Sequence, residues 1–138
     1  MSGELSSGSL AARLGIRSGS RIAVLNPPYP FVRYLETIRE TLREMRMDIE
    51  TGVARDLDLI IYFSRGRRGL EENFPVLKEQ LAPDGMLWIG WRKPRKGQNA
   101  GLDEGQVREI GRKHGMAGGE ALSIDEEWSA LRFAGQGQ

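Results

Sequence analysis

Eight basic residues stand where three strands are expected to end. Arg33 lies just past the first strand's loop. Arg65, Arg67 and Arg68 follow the apolar run at 57–63, and Arg92, Lys93, Arg95 and Lys96 follow the run at 86–91. In a parallel sheet the carboxyl ends of the strands share one rim, where ligands usually bind. Cations gathered there attract phosphate, nucleotide or RNA, and Tyr29 offers a ring for stacking. Arg33, Arg65, Arg68, Arg92 and Lys93 are therefore the expected holders of an anionic ligand. Asn26 and Tyr29 are expected to shape the floor of the pocket, with Trp91 close enough to the rim to extend it. The acidic turn Asp125, Glu126, Glu127 belongs at the same rim and can neutralise part of the patch. The plainer alternative is a set of solvated basic loops, since charge patterning alone is a weak signal.

Composition narrows the chemistry further. The chain has 138 residues, 20 of them basic and 19 acidic, for a net charge of +1. That balance excludes a globally basic nucleic-acid tail and an acidic solvating chain. The absence of cysteine excludes a disulfide scaffold, thiolate zinc ligation and a cysteine nucleophile. A single histidine, His114, excludes a multi-histidine metal site or relay. His114 is expected at a helix C-terminus, where its cationic form suits the dipole. Ser129 has no histidine base near it in sequence. No stretch approaches the ~18 consecutive apolar residues of a membrane span. The polar first residues do not resemble a signal peptide, so a cytoplasmic location is expected.

The elements that must position these residues follow from periodicity. Ser9 can cap a short helix in which Leu10 and Leu14 share a face and Gly15 ends the run. Arg21–Asn26 is a compact apolar strand. Phe31, Leu35, Ile38, Leu42 and Met45 mark one face of a helix over 31–45. A short strand is expected at 47–51. Leu57–Phe63 is a continuous apolar run, expected to be buried on both faces. Leu70, Phe74, Leu77 and Leu81 then face inward from a helix whose regular part is expected to start close to Pro75. Pro83, Asp84 and Gly85 make a turn before the strand Met86–Trp91. Trp88 and Trp91, at odd spacing, point to opposite faces. Asp103 can cap a helix to about His114, with Val107 and Ile110 inward. Residues 120–124 and 128–133 alternate around the acidic turn as a hairpin.

Strands alternating with helices and a closing hairpin imply an α/β, Rossmann-like three-layer sandwich: a mostly parallel sheet closed by an antiparallel strand. One domain over residues 10–134 is expected, with flexible tails at 1–9 and 135–138.

Leu14-Gly-Ile-x-x-Gly-x-x-Ile-Ala-Val-Leu-Asn26 resembles the first strand of the class I methyltransferase-like fold. Leu81-Ala-Pro-Asp-Gly-Met-Leu-Trp88 resembles that fold's turn and fifth strand. The chain more closely resembles a family of small bacterial proteins known as a domain of unknown function. It does so at Val24-Leu-Asn26, at Leu81 through Trp91-x-Lys93, and at Ile124-Asp-Glu-x-Trp-Ser129 through Leu131-x-Phe133. The resemblance covers about residues 10–134 and implies the fold, but no activity.

The turn after the first strand decides between functions. It reads Asn26-Pro27-Pro28-Tyr29-Pro30, with three prolines and no glycine. Prolines offer no N–H to a phosphate or carboxylate, and their rings block close approach. No nicotinamide or S-adenosylmethionine cofactor is expected in the usual glycine-turn manner. The same residues resemble the Asn-Pro-Pro-Tyr signature of adenine and glutamine amino-methyltransferases. That resemblance implies that the Asn26 side chain and the Pro27 carbonyl hold a target amine and that Tyr29 stacks on the flipped-out base. The expectation is a non-catalytic binding protein with a basic rim for an anionic small molecule or phosphorylated ligand. The alternatives are a small S-adenosylmethionine-dependent transferase at the same rim, and a protein-interaction or structural homodimer. Nucleic acid is a weaker candidate partner, and no membrane contact is expected.

Overall fold

A computed structural model describes residues 9–15, 21–37, 56–93 and 102–134. The expected strand at 47–51, the helix beyond residue 37, Arg95, Lys96 and both tails lie outside the described residues.

The central strands form because their residues are apolar on both sides. In β2 (Leu57–Phe63) every residue but Asp58 is buried. Parallel neighbours complete its backbone pairing. β1 (Ile22–Leu25) aligns Val24 with Ile61, and β3 (Leu81–Arg92) aligns Trp88 with the same residue. The chain then closes antiparallel. β5 (Trp128–Ala134) pairs with β3, and β4 (Gly118–Ser123) pairs with β5, giving the order β1-β2-β3-β5-β4. β4 thus runs parallel to the first three strands.

Helices cover both faces. Alternation along β2 sends Leu59, Ile61 and Phe63 to one side and Ile60 and Tyr62 to the other. The first set packs with Leu10 and Leu14 of α1 (Ser9–Leu14) and with Phe31 and Tyr34 of α2 (Tyr29–Thr37). The second set packs with Leu70, Phe74 and Leu77 of α3 (Arg67–Gln80) and with Val107 and Ile110 of α4 (Glu104–Lys113). This is the three-layer Rossmann-like sandwich expected from the sequence. Trp88 and Trp91 do face opposite sides. The Trp88 indole N–H donates to the Leu14 carbonyl at 2.8 Å, which pins the end of α1 to the middle of the sheet.

Four local expectations need correction. α3 begins at Arg67, not near Pro75, which lies inside it. Proline deletes one helical bond, but Leu70, Phe74 and Leu77 bury on either side of it and hold the helix through the gap. Leu81 belongs to β3 rather than to the helix. Pro83, Asp84 and Gly85 form a bulge inside β3 rather than a turn before it. Leu57 pairs with Leu81, and Leu59 already pairs with Met86. Gly85 suits this bulge, because a Cβ there would meet the Leu57 carbonyl oxygen at 2.7 Å. Finally, α2 starts at Tyr29, two residues before Phe31.

α4 starts as expected. The Asp103 carboxylate accepts from the Gln106 amide at 2.8 Å, and the Gln106 side chain accepts from the Asp103 amide at 3.2 Å. His114 follows the helix and stacks on Phe74, with ring centres 5.3 Å apart. Gly111 is the tightest point of this layer, where a Cβ would overlap the Phe133 ring. Alanine in a helix normally gains about 1 kcal/mol over glycine. Gly111→Ala is expected to do the opposite and destabilise the fold by about 1–3 kcal/mol, through overpacking against Phe133. Urea unfolding followed by circular dichroism measures the sign.

Candidate functional site

Among the described residues the topology has a switch point between β1 and β2. α2 follows β1 onto one face of the sheet, and α3 follows β2 onto the other. Where two adjacent parallel strands send their helices to opposite faces, the loops at their carboxyl ends part, and ligands bind between them. β1 and β2 are such a pair. The loop after β1 carries Asn26 to Tyr29, and the loop after β2 carries Ser64 to Gly66.

Asn26 makes the turn. Its φ of 56° lies in the left-handed region that asparagine tolerates better than most residues. Its side-chain amide donates to the Phe63 carbonyl at 3.5 Å, a long bond that links the ends of β1 and β2. The Pro28 carbonyl then accepts from Phe31 at 2.9 Å and from Val32 at 3.1 Å, which starts α2. With prolines at 27, 28 and 30, the one backbone N–H between Asn26 and Phe31 belongs to Tyr29. Below the turn, Phe31 packs on Phe63 with ring centres 4.9 Å apart. Trp128 meets Phe63 edge-on at 5.2 Å. This aromatic stack packs the end of β2 against α2 and the start of β5.

Tyr29 is 69% exposed at the start of α2. Arg33, one turn later, donates to its hydroxyl at 3.2 Å and lies 5.9 Å from its ring centre. That hydrogen bond, helped by Glu36, holds the Arg33 guanidinium pKa above its ordinary value. Arg65 is exposed just past β2. Neither Arg33 nor Arg65 has an ion pair among the described residues.

The other basic residues are partly committed. Arg67 and Arg68 pair along α3 with Glu71 at 3.4 Å and Glu72 at 3.7 Å. Arg92 pairs with Glu127 at 3.2 Å. The Lys93 ammonium donates to the Ser123 hydroxyl and to the Asp125 carbonyl, each at 2.7 Å. Its amide donates to the Glu127 carbonyl at 2.8 Å. Asp125 turns inward as well, its carboxylate accepting from the Glu127 and Trp128 amides at 2.8 and 2.9 Å. The acidic turn is thus folded onto the end of β3. Trp91 is 5% exposed and packs on the α3 face. The structure thus brings Asn26, Tyr29, Arg33 and Arg65 to the β1–β2 end of the rim. It places Trp91, Arg92, Lys93 and Asp125 around the β3–β5 end.

One residue of the rim was not singled out by sequence. Ser64 follows β2 directly and is 4% exposed, and its hydroxyl has no hydrogen-bond partner among the described residues. Its sequence signal is a lone polar residue between an apolar strand and a Gly-containing basic loop. A shallow groove of about 610 Å³ runs along α4, away from this rim. Arg108 there is tied to Glu104 and to the Gly118 and Gly119 carbonyls, so it serves to hold β4.

No family model matches the chain, and no curated protein sequence does. Solved structures do match its fold. One is a SAM-dependent methyltransferase from Aquifex aeolicus, at 13% identity and a TM-score of 0.64, covering 94% of this chain and 90% of that one. Another is the fibrillarin pre-rRNA processing protein of Methanococcus jannaschii, at 13% identity and TM-score 0.60, covering 98% and 76%. A third is the N-methyltransferase NodS from Bradyrhizobium japonicum in complex with S-adenosyl-L-homocysteine, at 16% identity and TM-score 0.56, covering 91% and 83%. The chain has a methyltransferase-like Rossmann fold. Among the described residues no helix is long and apolar enough to cross a membrane.

Lys93 and Arg92 separate by their partners. Lys93→Met leaves the Ser123 hydroxyl and Asp125 carbonyl without their cation and is expected to cost about 1–3 kcal/mol. The exposed pair lost in Arg92→Ala is expected to cost under about 1 kcal/mol. Denaturant unfolding gives both values. Amide exchange is expected to rise over residues 123–128 in the Lys93 variant alone.

Proposed function

We propose that this protein binds a small ligand with an anionic tail in the crevice where β1 and β2 end, and that it does so as a methyltransferase-like transferase. The observation that carries the location is the departure of α2 and α3 to opposite faces of the sheet from adjacent strands. The fold comparisons favour the transferase reading over a purely non-catalytic binding domain.

S-adenosylmethionine is the group this fold implies, and the residues present fit it only in a modified way. The turn after β1 offers a single amide, at Tyr29, so a glycine-type cradle for the donor's carboxylate is missing. Arg33 and Arg65 flank the same crevice without ion pairs among the described residues, and they supply by charge what the turn lacks in amides. When bound, the group would supply an activated methyl. By the amino-methyltransferase signature they resemble, Asn26 would hold an acceptor amine and Tyr29 would stack on the group that carries it.

A second reading rests on the same two arginines. A rim that holds phosphate or nucleotide without transfer chemistry needs Arg33 and Arg65 but not the Asn26 amide. A thermal-shift series separates the two. A ligand at a hundred times its Kd adds about 2.7 kcal/mol to stability, a shift of several degrees. The transferase reading expects such a rise with S-adenosylmethionine, reduced in Arg33→Ala/Arg65→Ala. A salt-sensitive rise with phosphorylated ligands, and none with S-adenosylmethionine, overturns it in favour of the binding domain. No rise with any of them overturns both and leaves an interaction protein or homodimer.

A further inference from the structure

We propose that the N-terminus of α3, with Ser64 beneath it, is a phosphate subsite of the crevice, and that the ligand seated there is a phosphomonoester. This rests on the crevice reading above and names the chemistry of one end of its ligand.

Four observations converge. First, α3 is 14 residues long and starts without a cap: Gly66 offers no side chain, and no acidic residue lies in the first turn. The first backbone bond back to Gly66 comes from Leu70, at 3.2 Å. The amides of Arg67, Arg68 and Gly69 precede it and have no acceptor among the described residues. Second, Ser64 is 4% exposed, and its hydroxyl has no partner among the described residues. A buried hydroxyl in that state costs free energy and needs an explanation. The Ser64 amide donates to the Gly90 carbonyl at 2.8 Å, so its backbone still follows the sheet. Alternation then directs its side chain to the face of Ile60 and Tyr62, which α3 covers. Asn73 of α3 donates to the Tyr62 hydroxyl on that face at 3.0 Å. Alternation therefore puts the hydroxyl on the α3 side of the sheet, three residues before that helix begins.

Third, the space is open. A Cβ built on Gly66 meets nothing within 4 Å, and the Gly66 φ of 173° is ordinary extended backbone. Fourth, the charge is right. Arg65 carries no ion pair among the described residues. Arg68 is held only by the exposed Glu72 of its own helix, a pair that re-aims at little cost, while Arg67 pairs with the partly buried Glu71, which Lys113 also binds. Three amides, a hydroxyl and a guanidinium exceed what the two oxygens of a carboxylate can accept. They suit the three terminal oxygens of a phosphomonoester.

Amide NMR of the full chain, titrated with inorganic phosphate and with AMP at low salt, tests this. Saturable shifts are expected at Gly66, Arg67, Arg68 and Gly69. Ser64→Ala removes a hydroxyl the fold does not use, so its Tm is expected to hold while phosphate binding weakens about tenfold. Gly66→Asp places a capping carboxylate on the same amides. It is expected to keep or raise the Tm and to abolish the shifts. Shifts that persist in both variants, or that spread evenly over arginines elsewhere on the surface, mean an adventitious ion only and overturn the proposal. S-adenosylhomocysteine carries no phosphate and keeps the two readings apart. If it moves Asn26 and Tyr29 while phosphate and AMP leave residues 66–69 still, the subsite falls and the crevice stands. Silence with every ligand overturns both.

Discussion

The burial of β2 on both faces governs the rest of the molecule. A strand covered on both sides can keep no unpaired backbone group and no unpartnered polar side chain along its length. Its polar residues are therefore driven to its two ends. Asp58 sits at the start, exposed, with its carboxylate accepting from the Arg21 amide at 3.0 Å. Ser64 sits at the finish, where the backbone still pairs with Gly90. Covering both faces also requires helices on both sides. With α1 and α2 on one face and α3 and α4 on the other, adjacent strands must part company somewhere. They part where β1 and β2 end, so the constraint that buries the strand also opens the crevice.

The hairpin end of the rim is settled differently. Lys93 reaches two neutral oxygens of the turn between β4 and β5, and Asp125 spends its carboxylate on two amides of the same turn. These groups close the sheet. Lys93 and Asp125 are thereby committed within the turn, whereas Arg33 and Arg65 have no ion pair among the described residues.

Much of this was legible in the sequence where one strong local signal met no competitor. The apolar run Leu57–Phe63, the odd spacing of Trp88 and Trp91, and the Asp103 cap each declare themselves within a few residues. Pro75 misleads because its local cost is overridden by burial of Leu70, Phe74 and Leu77, which depends on strands far away in sequence. Pro83–Gly85 reads as a turn because nothing local reveals that Leu81 already pairs with Leu57. The rim was visible as a set of cations, yet which ones are committed depends on where the acidic turn folds. Ser64 escaped notice because a serine after an apolar strand is unremarkable until its burial and its missing partner are known.

The turn after β1 puts the fold and the chemistry in tension. In this architecture the first turn ordinarily delivers backbone amides to a ligand's negative end, and glycine is what lets the ligand come close. Asn26-Pro27-Pro28-Tyr29-Pro30 keeps the geometry of the turn, with Asn26 supplying the left-handed residue, but removes all the amides save one. An anion at this rim must then find its donors one strand over. Among the described residues, the loop after β2 and the helix start it leads into have what the first turn lacks: a glycine, three amides without an acceptor and an arginine without an ion pair. A net charge of +1 for the whole chain says nothing against this, because binding responds to the few donors within reach rather than to the sum over the surface. The prolines leave the end of β1 with a single amide, and the donors proposed for an anion lie at the end of β2 instead.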